Sequence, residues 1–258
     1  MINKFFFFFH QKPTFGLWRT LFWALLLGGL PGCQKENQFD CFKSTGKTET
    51  HVRLLEPFST IQIFDNFEVE LVKDTAYFIE LTAGDNLMAN LETTVTDGSL
   101  TLQNINKCNW VRSHKREIKA VVHAPSFSRI IHDGINTVRT KTELEQDTIR
   151  LDVTDAGDFD VQLKSTKIYC TLYEYGNITL KGSASLLVFE NFGVGKIYAQ
   201  QLKAKQVWGN VFGQGDNHVF PIDFLATTFR NSGNVYYYNQ PAETERQGSG
   251  SGQLIAQP

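Results

Sequence analysis

Glycine recurs along the second half of the chain at a nearly constant spacing, and each of these glycines precedes a short segment of alternating apolar and polar residues. The seven positions lie 18 to 23 residues apart: Gly134, Gly157, Gly176, Gly195, Gly215, Gly233 and Gly252. The fourth residue after each glycine is apolar in all seven segments, and the second residue is apolar in five. This repeat predicts a stacked β-solenoid, because one turn cannot bury its inner face alone. Glycine is expected at each corner because it can adopt φ > 0.

Residues 48–124 show a different pattern, in which short alternating segments are separated by turn signals such as Asp65-Asn66 and Asp97-Gly98. These features predict an antiparallel β segment. No sustained 3.6-residue periodicity follows residue 32, so helices should be minor. We therefore predict an all-β chain in which residues 125–258 form the solenoid and residues 48–124 cap it and share its core. The glycine- and serine-rich end should be the last turn, because Gly252 is in register.

The first 32 residues are best excluded from the fold. They contain three cations and no acidic residue, and residues 21–30 are almost purely apolar. Ten residues are too few to span a membrane, which favours a secretory signal peptide. The run ends in Leu30-Pro31-Gly32-Cys33, which looks like a bacterial lipoprotein signal whose cysteine receives the lipid. An ordinary signal peptide or an uncleaved anchor with an incidental cysteine is the alternative.

Residues 33–47 are expected to form a tether. Residues 34–37, Gln-Lys-Glu-Asn, are similar to a signal that sends some Bacteroidetes lipoproteins to the outer face of the outer membrane. A solvated tether would have the same composition, so surface exposure stays open. We expect a lipid anchor in the outer membrane, with the membrane as one partner.

Removal of residues 1–32 changes the charge. It leaves 22 basic and 27 acidic residues, a net charge near −5. A surface of that sign without a Lys/Arg cluster argues against nucleic acid as a partner.

Three cysteines remain after lipidation of Cys33. Cys41 and Cys108 lie in polar, loop-like segments, and an oxidising compartment permits a disulfide between them. Cys170 lies in an alternating strand and is expected to be a small core residue. The alternative is that all three are reduced.

The order of the motifs resembles a known family. The motifs are Phe58-x-x-Ile61-x-Ile63, Phe67-x-Val69-x-Leu71, Asp97-Gly98-x-Leu100-x-Leu102 and the terminal Gly248-Ser249-Gly250-Ser251-Gly252. Together they resemble the auto-transporter adhesin head GIN domain proteins of Bacteroidetes, over about residues 48–256. The resemblance implies a right-handed β-helix-like solenoid, here of about six to seven turns, in a secreted or lipid-anchored envelope protein without catalytic residues or cofactor. The interior turns lack the repeated Gly-Ser-Gly, which weakens the case for the glycine edge as a binding surface.

Several charged residues are candidates for metal binding or catalysis. The acidic cluster of Asp152, Asp155, Asp158 and Asp160 matches neither an EF-hand nor a calcium-binding nonapeptide repeat, so no metal site is predicted. The alternative function is a polysaccharide-active enzyme, a lyase or hydrolase, on a β-helix. Its candidate residues would be His132, Asp133, Arg139, Arg150, Asp152 and Asp155. Their spacing forms no recognisable catalytic arrangement, so we predict that the chain is not an enzyme.

Aromatic residues are the best candidates for ligand binding. They recur in successive turns, at Tyr173, Tyr175, Tyr198, Trp208, Phe212 and 236–238. Exposed rings on neighbouring strands would form a platform for sugar rings, whereas interior stacks would only pack the core. Alternation places Tyr237 inside and Tyr236 and Tyr238 outside, so these two and Trp208 are the predicted ligand-binding residues. The sequence thus predicts a lipid-anchored envelope protein with an adhesin-type solenoid that binds an extracellular glycan or envelope protein, or is purely structural.

Overall fold

The computed structural model describes residues 44–107 and 117–258. Cys33, Cys41 and Cys108 and the predicted signal peptide lie outside these residues. In the described part of the chain, no helix is long and apolar enough to cross a membrane.

About two thirds of the described residues lie in strands, and there is one short helix, α1 (Asp85–Met88). The strands are β1 (Thr48–Leu54), β2 (Thr60–Asp65), β3 (Phe67–Lys73), β4 (Phe78–Gly84), β5 (Leu91–Thr96), β6 (Ser99–Asn104), β7 (Ile118–Ala124), β8 (Arg129–Gly134), β9 (Thr137–Thr140), β10 (Leu144–Val153), β11 (Asp158–Leu172), β12 (Ile178–Asn191), β13 (Ile197–Val211), β14 (Asn217–Phe229), β15 (Val235–Tyr237), β16 (Glu243–Gln247) and β17 (Leu254–Ala256). They confirm the predicted all-β solenoid, which has about seven turns.

The strands of the solenoid form three parallel sheets. The first sheet contains β8, the C-terminal halves of β10 to β14, and β16. The second sheet follows the glycine corner and contains β9, the N-terminal ends of β11 to β14, β15 and β17. The third sheet joins the start of β10 to the middle of β11, β12, β13 and β14. Because the strands stack in register, equivalent residues of successive turns lie directly above one another.

The N-terminal segment contains the antiparallel strands that the sequence predicts, in the pairs β1–β4, β4–β7 and β5–β6. The pattern also assigned β2 and β3 to this segment, and that part of the assignment is wrong. Strand β2 lies between β6 and β8 and strand β3 between β7 and β9, and all four pairings are parallel. Strands β2 and β3 therefore form a turn of the solenoid. The alternation of apolar and polar residues indicates which side of a strand is buried, but it does not indicate whether the strand pairs with its neighbours in parallel or antiparallel.

The two segments share one core, as predicted. One cluster of buried apolar side chains extends from Phe58 to Val235. Tyr237 packs against this cluster from the side that alternation indicates. The period-2 pattern therefore correctly identified the inner face as far as β15, whereas Ala256 in the last turn is exposed.

The ladder glycines occupy equivalent corners, but not for the predicted reason. Positive φ among described glycines occurs at Gly46, Gly98, Gly182 and Gly248, none of which belongs to the ladder. A Cβ atom at Gly176 would instead lie 1.9 Å from the carbonyl oxygen of Gly157, and one at Gly195 would lie 1.8 Å from that of Gly176. The prediction of φ > 0 is wrong. Glycine is required because the backbones of successive corners approach too closely for a side chain.

Candidate ligand-binding cleft

Three aromatic rings stack on the surface where the first sheet ends. Tyr173, Phe192 and Phe212 each follow the last strand residue of their turn by one position, and each backbone N–H donates to the preceding turn. The centroids of Tyr173 and Phe192 are 5.4 Å apart with planes 7° from parallel, and those of Phe192 and Phe212 are 4.5 Å apart with planes 2° from parallel. In-register stacking produces this column, because neighbouring strands are about 4.8 Å apart.

The column is exposed to solvent rather than packed inside. Tyr173, Phe192 and Phe212 are 44%, 41% and 36% exposed, and the neighbouring Tyr175 and Val194 are 66% and 51% exposed. Contiguous exposed apolar patches often mark a site that binds a ligand or a partner.

A cleft of about 300 Å³ runs beside the aromatic column. Tyr173, Tyr175 and Phe192 supply its aromatic wall, and Gly193, Val194 and Gly213 also line it. A Cβ atom at Gly193 would lie 2.0 Å from the carbonyl oxygen of Glu174. Glycine at this position therefore permits the close approach of the two stacked turns that carry the cleft.

A buried asparagine holds the turn that carries the cleft. Asn191 is fully buried, and its Nδ2 donates to the carbonyl oxygen of Gly195 (3.0 Å) and to Oδ1 of Asn217 (2.9 Å). Its Oδ1 accepts a hydrogen bond from the backbone N–H of Gly193 (3.1 Å). Asn217 in turn donates to the carbonyl oxygen of Gly215 (3.0 Å). These bonds satisfy buried backbone groups and position residues 192–195.

Polar groups line the cleft beside the rings. Glu174, Gln214 and Asn231 supply a carboxylate and two amides next to the aromatic wall. Such a wall packs against apolar ring faces, while the carboxylate and amides can exchange hydrogen bonds with hydroxyl groups. The arrangement suits a ligand that is apolar on its faces and polar at its edges.

The structure brings two of the three predicted ligand-binding residues together. Tyr236 stacks on His218 (5.0 Å, 13°), and the Tyr238 hydroxyl lies 3.0 Å from His218 Nδ1. His218 also stacks on Tyr198 (5.4 Å, 18°), and burial lowers the pKa of its imidazole. Trp208 lies instead on the first sheet, 5.0 Å from the ring of Phe224. The three residues do not form one site.

Several of the charged residues considered for catalysis are held in ion pairs or buried in the core. Asp152, whose side chain is 2% exposed, accepts from Arg129 Nε (2.7 Å) and Arg150 Nε (3.0 Å). Arg139 pairs with Glu68 (2.7 Å). His132 is fully buried in the inward row of the first sheet, and burial lowers its pKa. Of these candidates, Arg150 and Asp152 contact each other, whereas Arg139 pairs with a residue of β3.

Cys170 is a buried free thiol, as predicted, and burial raises its pKa. The predicted disulfide partners Cys41 and Cys108 lie outside the described residues, so the disulfide stays a prediction.

Sequence reasoning missed Phe192, Asn191 and the cleft glycines. A signal for Asn191 was present, because the equivalent residues of the neighbouring turns, Leu172 and Val211, are apolar. Phe192 could also have been identified from the sequence, since it lies 19 residues after Tyr173 and 20 before Phe212.

Comparisons with known proteins agree with this architecture. The sequence profile of one family, described as "Putative auto-transporter adhesin, head GIN domain", matches residues 57–241. No curated protein sequence matches the chain.

Three solved structures from Bacteroidales resemble the chain. A putative adhesin from Bacteroides fragilis NCTC 9343 is 21% identical, with a TM-score of 0.76, covering 83% of this chain and 100% of its own. A putative adhesin from Parabacteroides merdae ATCC 43184 is 20% identical, with a TM-score of 0.65 and coverage of 83% and 97%. A putative lipid binding protein from Parabacteroides distasonis ATCC 8503 is 19% identical, with a TM-score of 0.59 and coverage of 83% and 100%. At these identities the likeness shows the fold.

Proposed function

The chain belongs to the family described as putative auto-transporter adhesins with a head GIN domain, and from this premise we propose that it is an envelope adhesin that binds an extracellular glycan. The glycan would bind in the cleft beside Tyr173 and Phe192, which we call the corner cleft. Anchoring in the outer membrane through lipid on Cys33 is part of the proposal. The family, the adhesin-like neighbours and the lipoprotein-like motif at residues 30–33 support it.

The observation that carries the glycan proposal is the exposed aromatic column. Sugar rings have apolar C–H faces that pack on aromatic rings, and their hydroxyl groups need donors and acceptors at the edges. The stack of Tyr173, Phe192 and Phe212 supplies flat surfaces in three successive turns. Glu174, Gln214 and Asn231 supply the polar groups beside them.

The proposal involves no catalytic step. The family and the solved neighbours are described as adhesins or as a lipid-binding protein. The lyase or hydrolase alternative therefore gains no support from the comparisons.

A glycan array followed by calorimetry with the best oligosaccharide tests the cleft. Phe192→Ala removes the central ring, and we expect affinity to fall about tenfold, which corresponds to about 1.4 kcal/mol. Phe192→Leu keeps an apolar side chain but loses the flat ring, so it should also weaken glycan binding. Leu54→Ala, at an exposed apolar residue of β1, is the control and should bind normally.

Two outcomes would reject the glycan cleft. One is binding that Phe192→Ala leaves unchanged. The other is a ligand that proves to be a protein and that binds Phe192→Leu as tightly as the parent chain.

Anchoring is tested by metabolic labelling with palmitate. Cys33→Ser should abolish incorporation and release the protein from the membrane, because the cysteine thiol is the lipid acceptor. Undiminished labelling of this variant would contradict the lipoprotein proposal.

A further inference from the structure

A second groove lies at the corner where the third sheet meets the first. It has a volume of about 690 Å³, and Ser183, Ser185, Lys203 and Lys205 lie along it. We name these four residues the lysine–serine site. It is separate from the corner cleft, which lies between the first and second sheets.

Strand register arranges the site as two lysines beside two serines. Ser183 pairs with Lys203, and Ala184 with Ala204, in the parallel pair β12–β13. Both alanines are buried, so the residues on either side of them point outward. Neighbouring strands are about 4.8 Å apart, and alternate residues of one strand are about 6.6 Å apart. Two ammonium groups and two hydroxyl groups can therefore approach one small anionic group.

The charges along the groove are unevenly distributed. At the β10 end, Lys164 Nζ lies 2.8 Å from Glu145 Oε1, and this interaction lowers the pKa of the Glu145 carboxyl group. Hydrogen bonds from the Thr166 hydroxyl and then from the Thr148 hydroxyl lower the pKa of the Asp147 carboxyl group. No carboxylate of residues 44–107 or 117–258 lies within 4.0 Å of the Lys203 or Lys205 ammonium group. The β13 end therefore carries two cations free to bind an anion.

We propose that the lysine–serine site binds the carboxylate of an acidic polysaccharide, a polymer of uronic acids. Hydrogen bonds from ammonium groups to a carboxylate are about twice as strong as neutral ones. The groove has the size of a small-ligand site, so it can hold more than a single anion. Ile222, 40% exposed at the rim, offers an apolar contact for a sugar ring.

The experiment is calorimetry with tetragalacturonate and with the neutral galactose tetramer. The tetragalacturonate should bind, and Lys203→Gln/Lys205→Gln should weaken its binding at least tenfold without changing the melting temperature. Ser183→Leu keeps the charge but fills the space beside Lys203 on the neighbouring strand, so it should also weaken binding. Lys119→Gln/Lys141→Gln removes the same charge elsewhere and should bind like the parent chain.

Several outcomes would overturn the proposal: no binding of tetragalacturonate, equal loss in the control variant, or equal affinity for the neutral tetramer. Inorganic sulfate that binds as tightly as the tetramer would show a simple anion site instead. Binding only to phosphatidylglycerol vesicles would show a membrane surface. Phe192→Ala should retain tetragalacturonate binding, so failure of the glycan cleft and failure of this site can be told apart.

Discussion

Replacing Gly195 by alanine tests the reason for the glycine ladder. The added Cβ atom would lie 1.8 Å from the carbonyl oxygen of Gly176 and 2.9 Å from that of Tyr175. Ordinary contacts between such atoms are about 3.5 Å, and both neighbours are backbone atoms of a stacked turn. The variant can form only if two turns of the solenoid separate locally.

The cost can be estimated from what that separation disturbs. Overpacking of a close contact costs about 1–3 kcal/mol. The same shift strains the hydrogen bond from Gly195 N–H to the Glu174 carbonyl (3.2 Å) and that from Asn191 Nδ2 to the Gly195 carbonyl (3.0 Å). Each bond contributes about 1 kcal/mol. We expect Gly195→Ala to lower the free energy of unfolding by about 2–4 kcal/mol.

Gly98 is the matched control, because its φ is +72° and a Cβ atom there would meet nothing within 4 Å. Asparagine tolerates this conformation better than alanine, so Gly98→Asn should be more stable than Gly98→Ala. At Gly195, asparagine should be no better than alanine. Urea unfolding followed by circular dichroism measures all four variants. A Gly195→Ala variant within 0.5 kcal/mol of the parent chain, or rescued by asparagine, would refute close approach as the reason.

Four further predictions follow from buried groups and from the predicted disulfide. Burial lowers the pKa of His132, so below the ordinary histidine pKa of about 6.5 the unfolded chain binds more protons than the folded chain. The free energy of unfolding should therefore fall with decreasing pH, by up to about 1.4 kcal/mol per pH unit. His132→Asn should reduce the change of the urea midpoint between pH 7.5 and 5.5. Asp152→Asn weakens pairing with two arginines and should cost about 1–3 kcal/mol in urea unfolding, since both arginines remain partly solvated. Asn191→Ala leaves buried partners unsatisfied and should cost about 2–4 kcal/mol in the same assay while weakening glycan binding. Non-reducing peptide mapping should recover Cys41 and Cys108 as one linked pair; both as free thiols would contradict the predicted disulfide.

The repeating pattern of the sequence determined the architecture of the solenoid. A buried inner face imposes a period of two on each strand, and stacking imposes a period near twenty on the turns. These constraints act on every turn, so the inward position of Tyr237 and the final turn at Gly252 could be deduced without a structure. The corner glycines were located for the same reason, although the cause assigned to them was wrong.

The tertiary structure alone decided which residues meet across the turns. Strands β2 and β3 lie between strands that follow them in sequence, and alternation contains no information about that order. The alignment of outward side chains depends on the length and bulges of each turn, such as the register shift between Ala199 and Lys203. Outward positions are not constrained by the core, so the sequence could not separate Trp208 from Tyr236, and the spacing of Tyr173, Phe192 and Phe212 could not by itself show that their rings stack. Burial constrains every inward residue through its contacts with the core, whereas neighbours on the surface are set by how adjacent turns align.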